Sequence, residues 1–165
     1  MGIYLINPQK MLIGKLTKRA YKPFHPNDRV IIEKNIYNLL KIKLAYSGYY
    51  NDEGKLLADT IAYDRDGYIY LIGFKKNKKD KYIERYKKQL CNLKEDRYRF
   101  ESLMSGIIKK EVSLLKIRMI LIGYMFDENE IKSIKEEMDI PCNFYTWCMA
   151  DNNLLIFNKI TKRGV

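Results

Sequence analysis

The sequence predicts an α/β domain, a mixed β-sheet flanked by helices, on three observations. Short β-rich runs alternate with amphipathic segments through the second half of the chain, the order that packs helices on a sheet. Leu114–Gly123 is apolar almost throughout, as expected of a strand buried on both faces. Two further β-rich runs, Leu56–Tyr63 and Tyr68–Phe74, flank Asp64-Arg65-Asp66-Gly67, a strong hairpin turn.

The remaining elements follow in order. Gly2–Ile6 and Lys10–Leu16 flank Asn7-Pro8-Gln9 and read as an N-terminal hairpin over about 2–16. Pro23 and Pro26 mark a loop, with Asn27 or Asp28 placed to cap the next helix. From Arg29 to about Leu44 the stripe Ile32, Ile36, Leu39 and Leu40 has helical spacing. Tyr46–Glu53 reads as a strand and turn. A long helix starts after Asp80 on Tyr82, Tyr86, Leu90 and Leu93, and continues through Phe100, Leu103 and Met104 to a stop near Gly106. Asp127 and Glu130 form a capping-box pattern before Ile131, Ile134 and Met138. Asn143–Met149 and Leu154–Ile160 close the chain as two strands. With 165 residues and 47% hydrophobic content, one domain over 1–165 with its core at about 28–160 accounts for the whole pattern.

Composition narrows the function classes. Lys and Arg number 31 against 20 Asp and Glu, a formal net charge of +11. That excess favours nucleic acid as partner. The plainer reading is a solvated, lysine-rich surface. Cys91, Cys142 and Cys148 form no CxxC pair and the single histidine, His25, is remote from them, which argues against zinc. Unpaired thiols with no signal-peptide pattern lead to a cytoplasmic expectation. No run approaches the roughly 18 apolar residues of a spanning helix, so no membrane association is expected. Neither a P-loop nor a GxGxxG is present, and His25 has no triad to join.

The segment from Leu57 to Lys76 carries the chemistry. Strand residues two apart share a face, so Gly73 and Lys75 point one way and Phe74 the other. Asp59 lies on the preceding strand. The carboxylate can hold a Mg²⁺ that keeps several waters, the metal activates water, and the ammonium adds a donor and a charge. A plainer alternative has Asp59 capping a strand end or pairing with Lys75. The run Lys75, Lys76, Lys78, Lys79 and Lys81 reads equally as a solvated face. Tyr82, Tyr86 and Trp147 read as core.

This hairpin resembles the core of the PD-(D/E)XK nuclease superfamily, in which an Asp on one strand and an (E/D)-x-K on the next gather at one end of the sheet. The resemblance extends to NucS-type and RecB-type endonuclease-like domains. It runs over nearly the whole chain, from Ile3-Tyr4-Leu5-Ile6-Asn7 through Ile32-Glu33-Lys34-Asn35 and Arg118-Met119-Ile120-Leu121-Ile122 to Leu154–Ile160. It implies a restriction-endonuclease-like core. It also implies Asp59 as metal-binding Asp, Lys75 as catalytic Lys and Glu33 as the acidic residue of the first helix. A homodimer is implied too, because dimers are common among such nucleases. Two positions depart. Gly73 stands where the pattern wants Glu, and Arg85 where relatives often carry Gln on the long helix.

Glycine supplies no ligand, and a guanidinium opposes a cation but grips a phosphate. The expectation is therefore a nucleic-acid-binding domain, with DNA as partner and with lost or reduced cleavage. Its phosphate contacts would come from Lys76, Lys78, Lys79, Lys81 and Arg85, with Arg97 and Arg99 adding to them. The first alternative is an active Mg²⁺- or Mn²⁺-dependent DNA endonuclease that uses Asp59, Lys75 and, to complete the metal site, a displaced acidic ligand such as Glu84 or Glu33. The second is a non-catalytic protein-interaction subunit.

Overall fold

The computed structural model describes residues 2–5, 26–77, 81–150 and 154–160. Among the described residues, seven strands form one mixed sheet in the order β1-β7-β6-β5-β4-β3-β2. They are β1 (Gly2–Leu5), β2 (Lys43–Tyr50), β3 (Leu56–Tyr63), β4 (Ile69–Lys75), β5 (Ile117–Gly123), β6 (Cys142–Ala150) and β7 (Leu154–Lys159). Strands β4, β5 and β6 are parallel at the centre, and the flanking pairs are antiparallel. An α/β architecture with a mixed sheet between helices is thus present.

Two helical groups cover the sheet. Helices α1 (Pro26–Lys34) and α2 (Ile36–Leu40) lie on one face, where Ile32, Ile36 and Leu39 pack with Ala62, Ile72, Phe74, Ile120 and Ile122. Helices α3 (Tyr82–Glu95), α4 (Arg97–Ile108) and α5 (Glu128–Glu137) lie on the other. There Tyr86, Leu93, Phe100, Met104 and Ile134 meet Ile61, Leu71, Met119 and Leu121. Alternate residues of β4 and β5 feed the two cores, which is why both strands are apolar at nearly every position.

Several predicted elements break or shift. The helix expected over 29–44 stops at Lys34 and resumes at Ile36. Lys41, at φ 60°, ends α2 with its N–H on the Tyr37 carbonyl, and β2 begins two residues later. The expected long helix divides at Asp96, a poor helix former, yet the Asp96 carbonyl still accepts from the Phe100 N–H. Helix α4 then runs past Gly106 to Ile108 and ends on Lys109, also left-handed at φ 58°. The Asp127–Glu130 capping box forms as read. Strand β1 pairs with β7, while its predicted hairpin partner over Lys10–Leu16 lies outside the described residues. Among the described residues, no helix is long and apolar enough to cross a membrane.

The β3–β4 turn forms where the sequence places it. Gly67 has φ 84°, which a side chain would strain. Asp64 Oδ1 accepts from the backbone N–H groups of Asp66 and Tyr68 at 2.9 and 3.0 Å, and Oδ2 accepts from the Tyr70 hydroxyl at 2.9 Å.

Candidate functional site

The site begins where the β3–β4 ladder stops. Thr60 pairs with Ile72 as the last registered pair, and the next step along each strand brings Asp59 beside Gly73. Alternation turns both toward α3. Beyond the ladder, the Phe74 N–H and C=O need other partners, and side chains of α3 supply them. The Tyr86 hydroxyl accepts from the Phe74 N–H at 2.6 Å, and Arg85 Nη2 donates to the Phe74 carbonyl at 3.1 Å. Phe74's own ring turns to the opposite core, as the spacing predicted.

Tyr86 sits directly on Gly73. A Cβ at position 73 would stand 2.9 Å from ring atom Cε1 and nearer still to Cζ and Cε2. Its hydroxyl donates to Asp59 Oδ2 at 2.7 Å, and Gln89 Nε2 donates to Oδ1 at 3.0 Å. Both oxygens of Asp59 are therefore held by neutral donors from one helix, three residues apart and so on one face. Arg85 Nη2 also donates to the Tyr86 hydroxyl at 3.1 Å, and its guanidinium carbon lies 4.8 Å from the ring centroid. Burial, then the negative charge of Asp59, pushes the Tyr86 hydroxyl above the usual tyrosine range.

Lys75 turns away from this cluster. It is 4% exposed, and its ammonium donates to Glu130 Oε1 and Oε2 at 2.6 and 2.7 Å and to the Met125 carbonyl at 3.2 Å. Tyr82 donates to the same Glu130 oxygen at 2.6 Å, and the rings of Tyr82 and Phe126 lie 5.6 and 5.1 Å from the ammonium. The ammonium is thus held within the protein by the Glu130 carboxylate and the Met125 carbonyl.

Glu33 belongs to the other face. It accepts from Arg29 Nε at 2.8 Å, from Ser47 at 2.7 Å and from Thr60 through a short hydrogen bond. Arg29 also donates to the Asp59 backbone carbonyl, so the two faces are tied through the main chain and not through a shared pair of carboxylates. Glu84 is exposed on the first turn of α3. Among the described residues, Asp59, Glu33 and Glu84 form no cluster able to hold a metal ion, and neither does any other group of three or more His, Cys, Asp and Glu.

Of the basic residues expected to meet phosphate, Lys76 and Lys81 are exposed and Arg85 is half-buried, while Lys78 and Lys79 lie outside the described residues. Arg97 pairs with Glu101 and Arg99 with Asp52. Sequence reasoning missed Gln89 and Glu130 as partners and gave Tyr86 only a core role. One signal was present. The resemblance expects a Gln on the long helix, and Gln89, one turn after Arg85, is the Gln that reaches Asp59. No family model, curated protein or solved structure matches this chain.

Proposed function

We propose that this chain is a nucleic-acid-binding domain of PD-(D/E)XK nuclease type in which the cleavage site is closed. The observation that carries it is Tyr86 seated on Gly73 with its hydroxyl on Asp59. The ring fills the volume a metal-binding Glu side chain would need. The hydroxyl and the Gln89 amide direct hydrogens at the carboxylate, where a divalent ion needs bare oxygens. Lys75 is drawn into an ion pair with Glu130 and a hydrogen bond to the Met125 carbonyl. The residues present do not fit a metal centre. Binding is supported by the net charge of +11 and by exposed Lys76, just after β4, and Lys81, just before α3.

The test pairs cleavage with binding. Single-stranded, duplex and branched DNA are incubated with Mg²⁺ or Mn²⁺, and fluorescence anisotropy follows binding against salt. The expected result is no cleavage, and affinity that falls steeply with salt as condensed counterions are released. Metal-dependent cleavage abolished by Asp59→Ala would overturn the closed-site reading. Gly73→Glu alone is expected to restore nothing, because Tyr86 blocks it. Gly73→Glu with Tyr86→Ala is the variant that opens the carboxylate pair. A native chain that binds no nucleic acid would leave the protein-interaction reading.

A further inference from the structure

The end of the sheet away from Asp59 is built from the start of β2, the β3–β4 turn, the end of α4 and the start of β5. Lys43 pairs with Tyr63 across β2 and β3, and Tyr70 pairs with Arg118 across β4 and β5. Lys110 donates to the Arg65 carbonyl at 2.7 Å, which fastens the end of α4 to the turn. Together these contacts gather Lys43, Arg65, Lys109, Lys110, Lys116 and Arg118 at one end of the molecule. All but Arg118 are exposed, and Arg65 is 94% so. The Arg118 guanidinium lies 3.8 Å from the Tyr68 ring centroid, which fixes its charge at the sheet margin.

Neighbouring acids offset only part of this charge, with the three carboxylates of Asp64, Asp66 and Glu111 against six bases. Asp64 spends its carboxylate on the turn, Asp66 sits 3.9 Å from Arg65 in an exposed pair, and Glu111 is exposed. On α3 and α4 the basic side chains Lys87, Lys94, Arg97 and Arg99 each pair with a carboxylate. Among the described residues, Lys43, Lys109, Lys110, Lys116 and Arg118 take part in no such pair. The row crosses four strands, roughly 14 Å at about 4.8 Å per strand. Each strand of a duplex places a phosphate about every 3.4 Å along the axis, so the row spans about four of them.

We infer that this end is a second phosphate-backbone contact face for nucleic acid, separate from Lys76 and Lys81 beyond the other end of β4. The inference rests on the nucleic-acid reading above. Its test compares two variants that each lose three charges. The far-end variant is Lys43→Gln/Arg65→Gln/Lys116→Gln, and the comparison variant is Lys76→Gln/Lys81→Gln with Lys88→Gln, an exposed residue of α3, added to match the charge. Both are titrated by anisotropy against a short labelled oligonucleotide, single-stranded and as a duplex. The far-end variant is expected to bind at least about tenfold more weakly, with a salt dependence shallower by about 2 to 3. Lys43→Arg/Lys116→Arg, which keeps the charge, is expected to retain affinity. All these side chains are exposed, and an unchanged melting temperature certifies the fold. A far-end variant within about twofold of wild type overturns the inference and leaves the nucleic-acid reading standing. A wild-type chain that binds neither oligonucleotide overturns both.

Discussion

Tyr86 shows how one side chain can serve strand, helix and carboxylate at once. Its hydroxyl accepts from the Phe74 amide and donates to Asp59, so removing the oxygen orphans a buried donor and a carboxylate oxygen together. Tyr86→Phe keeps the ring on Gly73 and is expected to cost about 1–3 kcal/mol, the usual penalty for unsatisfied buried groups, read by urea denaturation. The pH dependence has a definite sign. Burial and Asp59 raise the Tyr86 hydroxyl above the ordinary value of 10.0, and burial, with the Asp64 hydrogen bond, raises Tyr70 to about 12. Both hydroxyls therefore contribute stability that is fully present below pH 10 and lost as pH rises through the raised values. An ultraviolet titration of tyrosinate should show late ionisation from Tyr70 and Tyr86, beside Tyr49, which burial also raises, and Tyr70→Phe and Tyr86→Phe should each remove one late ring. Helical spacing marked Tyr86 as core, correctly for the ring. Spacing says nothing about where a hydroxyl lands at the end of a ring, so its bond to Asp59 was not legible.

At the scale of elements, the Lys75–Glu130 pair joins the end of β4 to the first turn of α5. Glu130 is also the N3 residue of the capping box begun by Asp127, so one side chain caps the helix and fixes it to the sheet. Lys75 is 4% exposed and Glu130 17%. Lys75→Met strands a largely buried carboxylate and is expected to cost about 3–5 kcal/mol. Lys75→Met/Glu130→Met, which removes both charges, should cost less than the sum of the two single changes, and a double-mutant cycle measures the difference. The capping box was readable because its partners are three residues apart. The ion pair was not, because residues 75 and 130 meet only through the β4–β5–β6 crossovers. The helix breaks at Asn35 and Asp96 were hidden for a related reason: the apolar stripes run through both breaks without losing phase.

For the molecule as a whole, two cores on opposite sides of the sheet converge on β4 and β5. Hydrogen exchange should therefore find the slowest amides in those central strands. Strand β2 should exchange first among β2–β5. It ends the strand order, has register shifts at Leu44/Tyr46 and Tyr49/Tyr50, and carries Gly48 at φ 79°. Equal protection of β2 and β5 would contradict this layering. The alternation of strands and helices, the β3–β4 hairpin and the buried β5 were all readable, because each depends on local period or turn chemistry. Of the positions singled out in the sequence, Asp59 and Gly73 meet beneath Tyr86, while Lys75 turns to Glu130. Their partners depended on which helix crosses above them, a property of tertiary packing.

The fit between Gly73 and Tyr86 also acts as a ratchet on sequence change. A carboxylate introduced at 73 collides with the ring, an overpacking of about 1–3 kcal/mol or more. Trimming the ring first leaves a cavity costing about 3–5 kcal/mol and strips Asp59 of a donor. Either order of two single steps passes through a weakened protein, so the glycine and the tyrosine hold one another in place across generations.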